Sequence, residues 1–204
     1  MIKKIALILA LTSVPTFAAT ISVVRSGNGV IATTSGGTTL TAGGYYISVG
    51  SYGDAAAPVV TDNASFVAAL ASFKEFASAT APTSGTTQGT ITGSFVGTGS
   101  APNAPSDFNS KSLYILVGNA ATRAASTEFA IIQGTPTWSF VGDVTIGSAS
   151  ATISLIDSTA FSAVAGAEVD NATGKDNITL RAIPEPSAAI LGILSLGLLA
   201  RRKR

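Results

Sequence analysis

Residues 187–200 form an uncharged run carrying Ile190, Leu191, Ile193, Leu194, Leu196, Leu198 and Leu199, followed at once by Arg201, Arg202, Lys203 and Arg204. A water-soluble core does not readily take up such a segment, because the run has almost no polar face to turn outward. As a helix it would span about 21 Å, short of the ~30 Å hydrocarbon thickness of a bilayer. Its Leu and Ile residues contribute about −2 to −4 kcal/mol to insertion, which Gly192, Ser195 and Gly197 erode. The run therefore enters a membrane by a thin margin, and the basic quartet serves as a stop-transfer signal on the cytoplasmic side. The rest of the chain has to fold without it.

Immediately upstream stand Pro184, Glu185 and Pro186. The two prolines fix φ and remove two N–H donors, so this segment is extended and open to the grip of an enzyme. Ile183-Pro184-Glu185-Pro186, the short apolar helix and the basic terminus together resemble the PEP-CTERM sorting signal of Gram-negative bacteria. The family often has Val where Ile183 stands. The resemblance covers residues 183–204 and implies recognition by an exosortase, a membrane-embedded cysteine transpeptidase, with a cargo linked to exopolysaccharide and biofilm. It implies no activity for the remainder.

The other end agrees. Lys3 and Lys4 precede an apolar stretch over residues 5–11, and Thr16-Phe17-Ala18 is a small-x-small cleavage site, the order of a secretory signal peptide. No twin arginine precedes the apolar stretch, so the general secretion translocon is the expected route. The chain thus divides into a signal peptide (1–18), an exported body (19–182) and a sorting segment (183–204). The expected course is export, transient anchoring in the inner membrane, and delivery to the cell envelope, cell surface or extracellular matrix.

Within the body six cations face ten acids, a net charge of −4. An acidic body without a run of cations interleaved with aromatics does not favour nucleic acid. The chain contains neither Cys nor His. Disulfides, Ser-His-Asp and Cys-His catalysis and His- or Cys-based zinc sites are thereby excluded. The expectation is a non-enzyme without a cofactor.

About 164 residues suffice for one domain with its own core. Short β-branched and aromatic stretches separated by Gly, Pro and Asn predict an all-β, antiparallel sandwich or jelly-roll-like domain. Strands are expected at 21–25, 30–34, 45–52, 88–98, 113–117, 128–132, 137–141, 144–146, 152–156 and 178–183. Gly27-Asn28-Gly29 predicts a hairpin joining the first two, and residues 171–174 a turn before the last. Residues 99–110 read as a loop. Residues 113–117 are apolar on both faces, as in a central strand. One amphipathic helix is expected, capped by Asp62 or Asn63, with Phe66, Ala69, Leu70, Phe73, Phe76 and Ala77 on one face.

Several constellations are weaker. Gly27-Asn28-Gly29-Val30-Ile31-Ala32 has the spacing of a dinucleotide fingerprint, but β-branched and Gly-rich residues follow where a helix should begin. Asp170-Asn171 and Asp176-Asn177 offer oxygen ligands, yet Ala172 and Gly174 occupy positions where a calcium loop needs side-chain oxygens. A glycoside-active site would need two acids from among Glu75, Glu128 and Glu168 facing one cleft. Tyr46 and Trp138 are candidate glycan contacts, set against the ordinary role of aromatics as strand core. Thr90-Ile91-Thr92 has the raw material of an ice-binding face but no regular array. The sequence reading is an exported structural or adhesive protein of an exopolysaccharide or biofilm matrix. A carbohydrate-binding module is the alternative, and a glycoside-active enzyme or ice-binding protein the remote ones.

Overall fold

Strands that are apolar on both faces demand a packed layer on each side, and three adjacent strands here impose that arrangement on the whole body. The computed structural model describes residues 18–25, 31–41, 43–80, 88–99, 102–134, 136–155, 161–170 and 176–183. The expected signal peptide, the Gly27-Asn28-Gly29 turn, the turn at 171–174 and the sorting motif with its basic tail lie outside the described residues. The elements in chain order are β1 (Ala19–Arg25), β2 (Ile31–Thr33), β3 (Tyr46–Ser51), α1 (Asn63–Ser72), β4 (Lys74–Thr80), β5 (Gly93–Gly97) and a 3-10 turn at Pro105–Asp107. There follow β6 (Tyr114–Gly118), β7 (Glu128–Gly134), β8 (Ser150–Leu155), β9 (Phe161–Ala165), β10 (Ala167–Asp170), β11 (Asp176–Thr179) and β12 (Arg181–Ala182). The body is mostly β-sheet with a single α-helix among the described residues, in keeping with a sandwich.

The largest sheet runs β12-β7-β6-β3-β4, with β9 also paired to β7. Along its middle strands successive side chains point to opposite faces. Ile47, Val49, Ile115, Val117, Ala130 and Ile132 enter one core. Tyr46, Tyr114, Leu116, Phe129 and Ile131 enter another. The first core is closed by the sheet β5-β1-β8, through Ile21, Val23, Phe95, Ile153 and Leu155, and by Ala32 and Ile178 of the sheet β10-β11-β2. The second is closed by Phe66, Ala69 and Leu70 of α1. Burying each large apolar side chain contributes about 1.5–3 kcal/mol, so β6, buried along its whole length, is the centre of the fold.

The central strand at 113–117 is therefore as expected, while several neighbours differ. β1 and β2 form no hairpin: β1 lies antiparallel to β5 and parallel to β8, and β2 lies parallel to β11. Both edges of β1 are filled by strands that bring Phe95, Ile153 and Leu155 to the core, and such long-range packing overrides a local turn signal. These two parallel pairs make the fold mixed, whereas the largest sheet is antiparallel throughout.

The helix is shorter than its periodicity suggests. Asp62 caps it, accepting from the Ser65 N–H at 2.8 Å. It ends at Ser72, whose hydroxyl bonds the Ala68 carbonyl at 2.8 Å. Phe73 is extended, and residues 74–80 form β4 on β3. Phe73 fills the second core and Phe76 the first, so the aromatic pair read as one helix face serves both faces of a strand.

Residues 137–141 give only a single bridge, Ser139 to Ser112. Residues 144–146 lie in a turn where Asp143 accepts from the Thr145 N–H at 2.9 Å and hydroxyl at 2.6 Å, a local bonding pattern that competes with a sheet ladder. Phe140 nevertheless packs with Phe76 and Phe108 at ring separations of 5.1–5.3 Å, which pins the 3-10 turn to the first core. The stretch expected as one strand at 178–183 changes sheets at buried Leu180, with β11 in one sheet and β12 in another. β9 and β10, rich in small residues, were not expected. They meet at Gly166, whose φ of +97° and close approach to the Thr179 carbonyl suit glycine.

Candidate functional site

The end of α1 and the start of β4 turn a corner, and the corner leaves a cleft of about 790 Å³. Its walls come from Phe73, Lys74 and Glu75 at the corner, Tyr52 after β3, Asn103 and Arg123. Arg123 is the organiser. Its guanidinium donates to the Leu70 carbonyl at 2.5 Å and lies 5.6 Å from the centre of the Phe73 ring. It thus adds a second hydrogen bond to a carbonyl that already accepts from the Phe73 N–H at 3.3 Å, while stacking on the residue that leaves the helix. Asn103 donates to the Glu75 carbonyl at 3.0 Å, tying the neighbouring loop to β4.

The charged groups around the cleft are already engaged. Lys74 pairs with Asp107, and Lys111 with Asp54. The Lys74 hydrogen bond, aided by the Ala104 N–H, holds the Asp107 carboxyl below the ordinary carboxylate range. Glu75 accepts from the Tyr46 hydroxyl and, at 2.8 Å, from Ser78. Burial first, and then that bond to Glu75, pushes the Tyr46 phenol up. Tyr52 is raised by burial, and its hydroxyl has no partner among the described residues. Each Glu75 oxygen thus holds one hydroxyl donor, which fixes the carboxylate at the edge of the cleft.

The residues singled out from the sequence are scattered. Tyr46 is 5 % exposed and belongs to the core beneath α1. Trp138 is half-buried against the other core, its indole Cδ1 within 2.5 Å of where a Cβ on Gly134 would lie. The two rings serve opposite faces of the sheet and do not form one platform. Glu75 stands on β4, not on a helix. Glu128 accepts from the Ser35 N–H at 2.7 Å and hydroxyl at 2.9 Å, anchoring a turn. Three strand spacings across and five residues along separate Glu75 from Glu128, about 14 Å by 17 Å. Paired glycosidase carboxyls stand at about 5–9.5 Å, so these two acids do not share a site. Asp170 and Asp176 pair across β10 and β11, but their side chains lie outside the described residues, as does that of Glu168. No group of three or more potential metal ligands occurs among the described residues.

Sequence reasoning missed the cleft. The scarcity of cations in the body was the available signal, since a lone Arg among hydroxyls and small residues is well suited to a helix-end contact. Comparison with protein-family models, curated proteins and solved structures finds no match.

Proposed function

We propose that the chain is an exported, non-catalytic protein of the cell surface or extracellular matrix, delivered by an exosortase-type system acting on Pro184-Glu185-Pro186. Its role in an exopolysaccharide or biofilm matrix is structural or adhesive. The observation that carries this reading is the order of sequence signals: a signal peptide, an acidic body free of Cys and His, and a PEP-type motif with a short apolar run and Arg201-Arg202-Lys203-Arg204. Two features of the body support it. The first strand starts at Ala19, the expected first mature residue, and Ile183, next to the motif, still donates its N–H to the Thr127 carbonyl at 2.8 Å. Replacing Pro184-Glu185-Pro186 by three alanines should leave the protein in the inner membrane with its tail attached. Unchanged processing and surface arrival would refute the sorting reading.

For the carbohydrate-binding alternative, Tyr46 is buried beneath α1 and Trp138 is half-buried on the other face of the sheet, so the two rings do not form one exposed platform. The glycoside-active alternative loses the Glu75 and Glu128 pair.

A further inference from the structure

The outward side of α1 borders a second concavity, of about 560 Å³, lined mainly by apolar atoms of Val67, Leu70, Ala71, Phe129 and Ile183, with Arg123 also at its wall. Val67, 44 % exposed, gives the groove an apolar wall open to solvent. Ile183 is the last described residue, and the chain continues from it into Pro184-Glu185-Pro186 and the apolar run at 187–200. The groove wall thus includes the residue four positions before the least water-compatible stretch of the chain.

We propose that the occupant of this groove is the chain's own apolar run, residues 187–200, which docks there when no bilayer holds it. Leu191 is eight residues beyond Ile183, so up to about 29 Å of chain is available for it to reach the walls of the groove. A tether of that length gives a millimolar effective concentration, enough to populate a weak apolar contact that separate molecules would not make. The run has no charge to bury, and the groove presents apolar surface with one cation already committed to the Leu70 carbonyl and Phe73. Groove and bilayer thus compete for one segment. Removal of the tail would leave the groove open on the delivered protein. The inference rests on the apolar run and the groove alone and holds whether or not an exosortase acts.

The absence of cysteine from the chain makes the test direct. The full chain with its tail, carrying Val67→Cys and Leu191→Cys, is oxidised in dilute, detergent-free buffer beside a control that carries the same two cysteines and Ala124→Asp. Ala124 is exposed on the groove wall, so a carboxylate there charges the groove and leaves the tether unchanged. The chain with the uncharged groove should form the intramolecular disulfide about tenfold faster than the control, read by mass spectrometry of peptide pairs. Equal rates would overturn the proposal. Cross-links found only between chains would also overturn it, by giving the groove to a second copy. If Val67→Cys fails to fold, Ala71→Cys, also on the groove wall, replaces it with the same expected outcomes.

Discussion

Gly50 shows how one residue decides the geometry of a sheet. A Cβ there would lie 2.2 Å from the Lys74 carbonyl and 2.5 Å from the Phe73 ring, at the point where the pairing of β3 with β4 shifts register. Gly50→Ala should therefore cost about 1–3 kcal/mol by overpacking, read as a lower urea midpoint with an unchanged slope. The tyrosines set the alkaline limit. Burial raises Tyr45 from 10.0 to about 12, and its hydroxyl donates to the Thr90 carbonyl at 2.5 Å. Tyr46, Tyr52 and Tyr114 are raised as well, in each case first by burial. A phenol whose folded pKa exceeds its unfolded one binds its proton more tightly in the folded state. Its stabilisation is complete below pH 10 and is lost as pH rises towards the folded pKa. Unfolding free energy should accordingly fall as pH rises from 10 to 12. Denaturant titrations at pH 9, 10, 11 and 12 would show the decline, and a flat profile would contradict it.

Among the elements, the turn from α1 to β4 is where local pattern and tertiary packing diverge. The spacing of Phe66, Leu70, Phe73 and Ala77 is helical, and Phe73 with Phe76 also satisfies a strand, so periodicity alone cannot choose. The choice is made by contacts distant in sequence: Arg123 at the Leu70 carbonyl, and β3 offering an open edge to residues 74–80. Arg123→Ala should cost about 1–3 kcal/mol through the lost charged hydrogen bond and ring contact. The expected sign is a lower thermal midpoint, with Arg123→Lys recovering only part because an ammonium lacks the planar fork. The residues legible from sequence were those whose environment is symmetric or local. The central strand at 113–117 announces itself by being apolar on both faces, and Asp62 by its position ahead of a helical run. The parallel partners of β1 and β2 were not legible, since nothing within a strand names a partner more than 100 residues away. The cleft escaped notice for the same reason: Glu75 and Arg123 meet only after the corner has formed.

At the scale of the molecule, the described residues form a three-layer body of sheets and one helix, held mainly by two apolar cores on either side of one sheet. Only two ion pairs occur among the described residues, so moderate salt should matter little to its stability. The chain has no cysteine, so this body is held without disulfides, and on the reading proposed above its two ends direct export and sorting. The most direct measurement is the intact mass of the protein recovered from the envelope or matrix of its native host. The account predicts a chain that begins at Ala19 and lacks everything from the apolar run to Arg204. A mature protein that still carries Arg204 would contradict it.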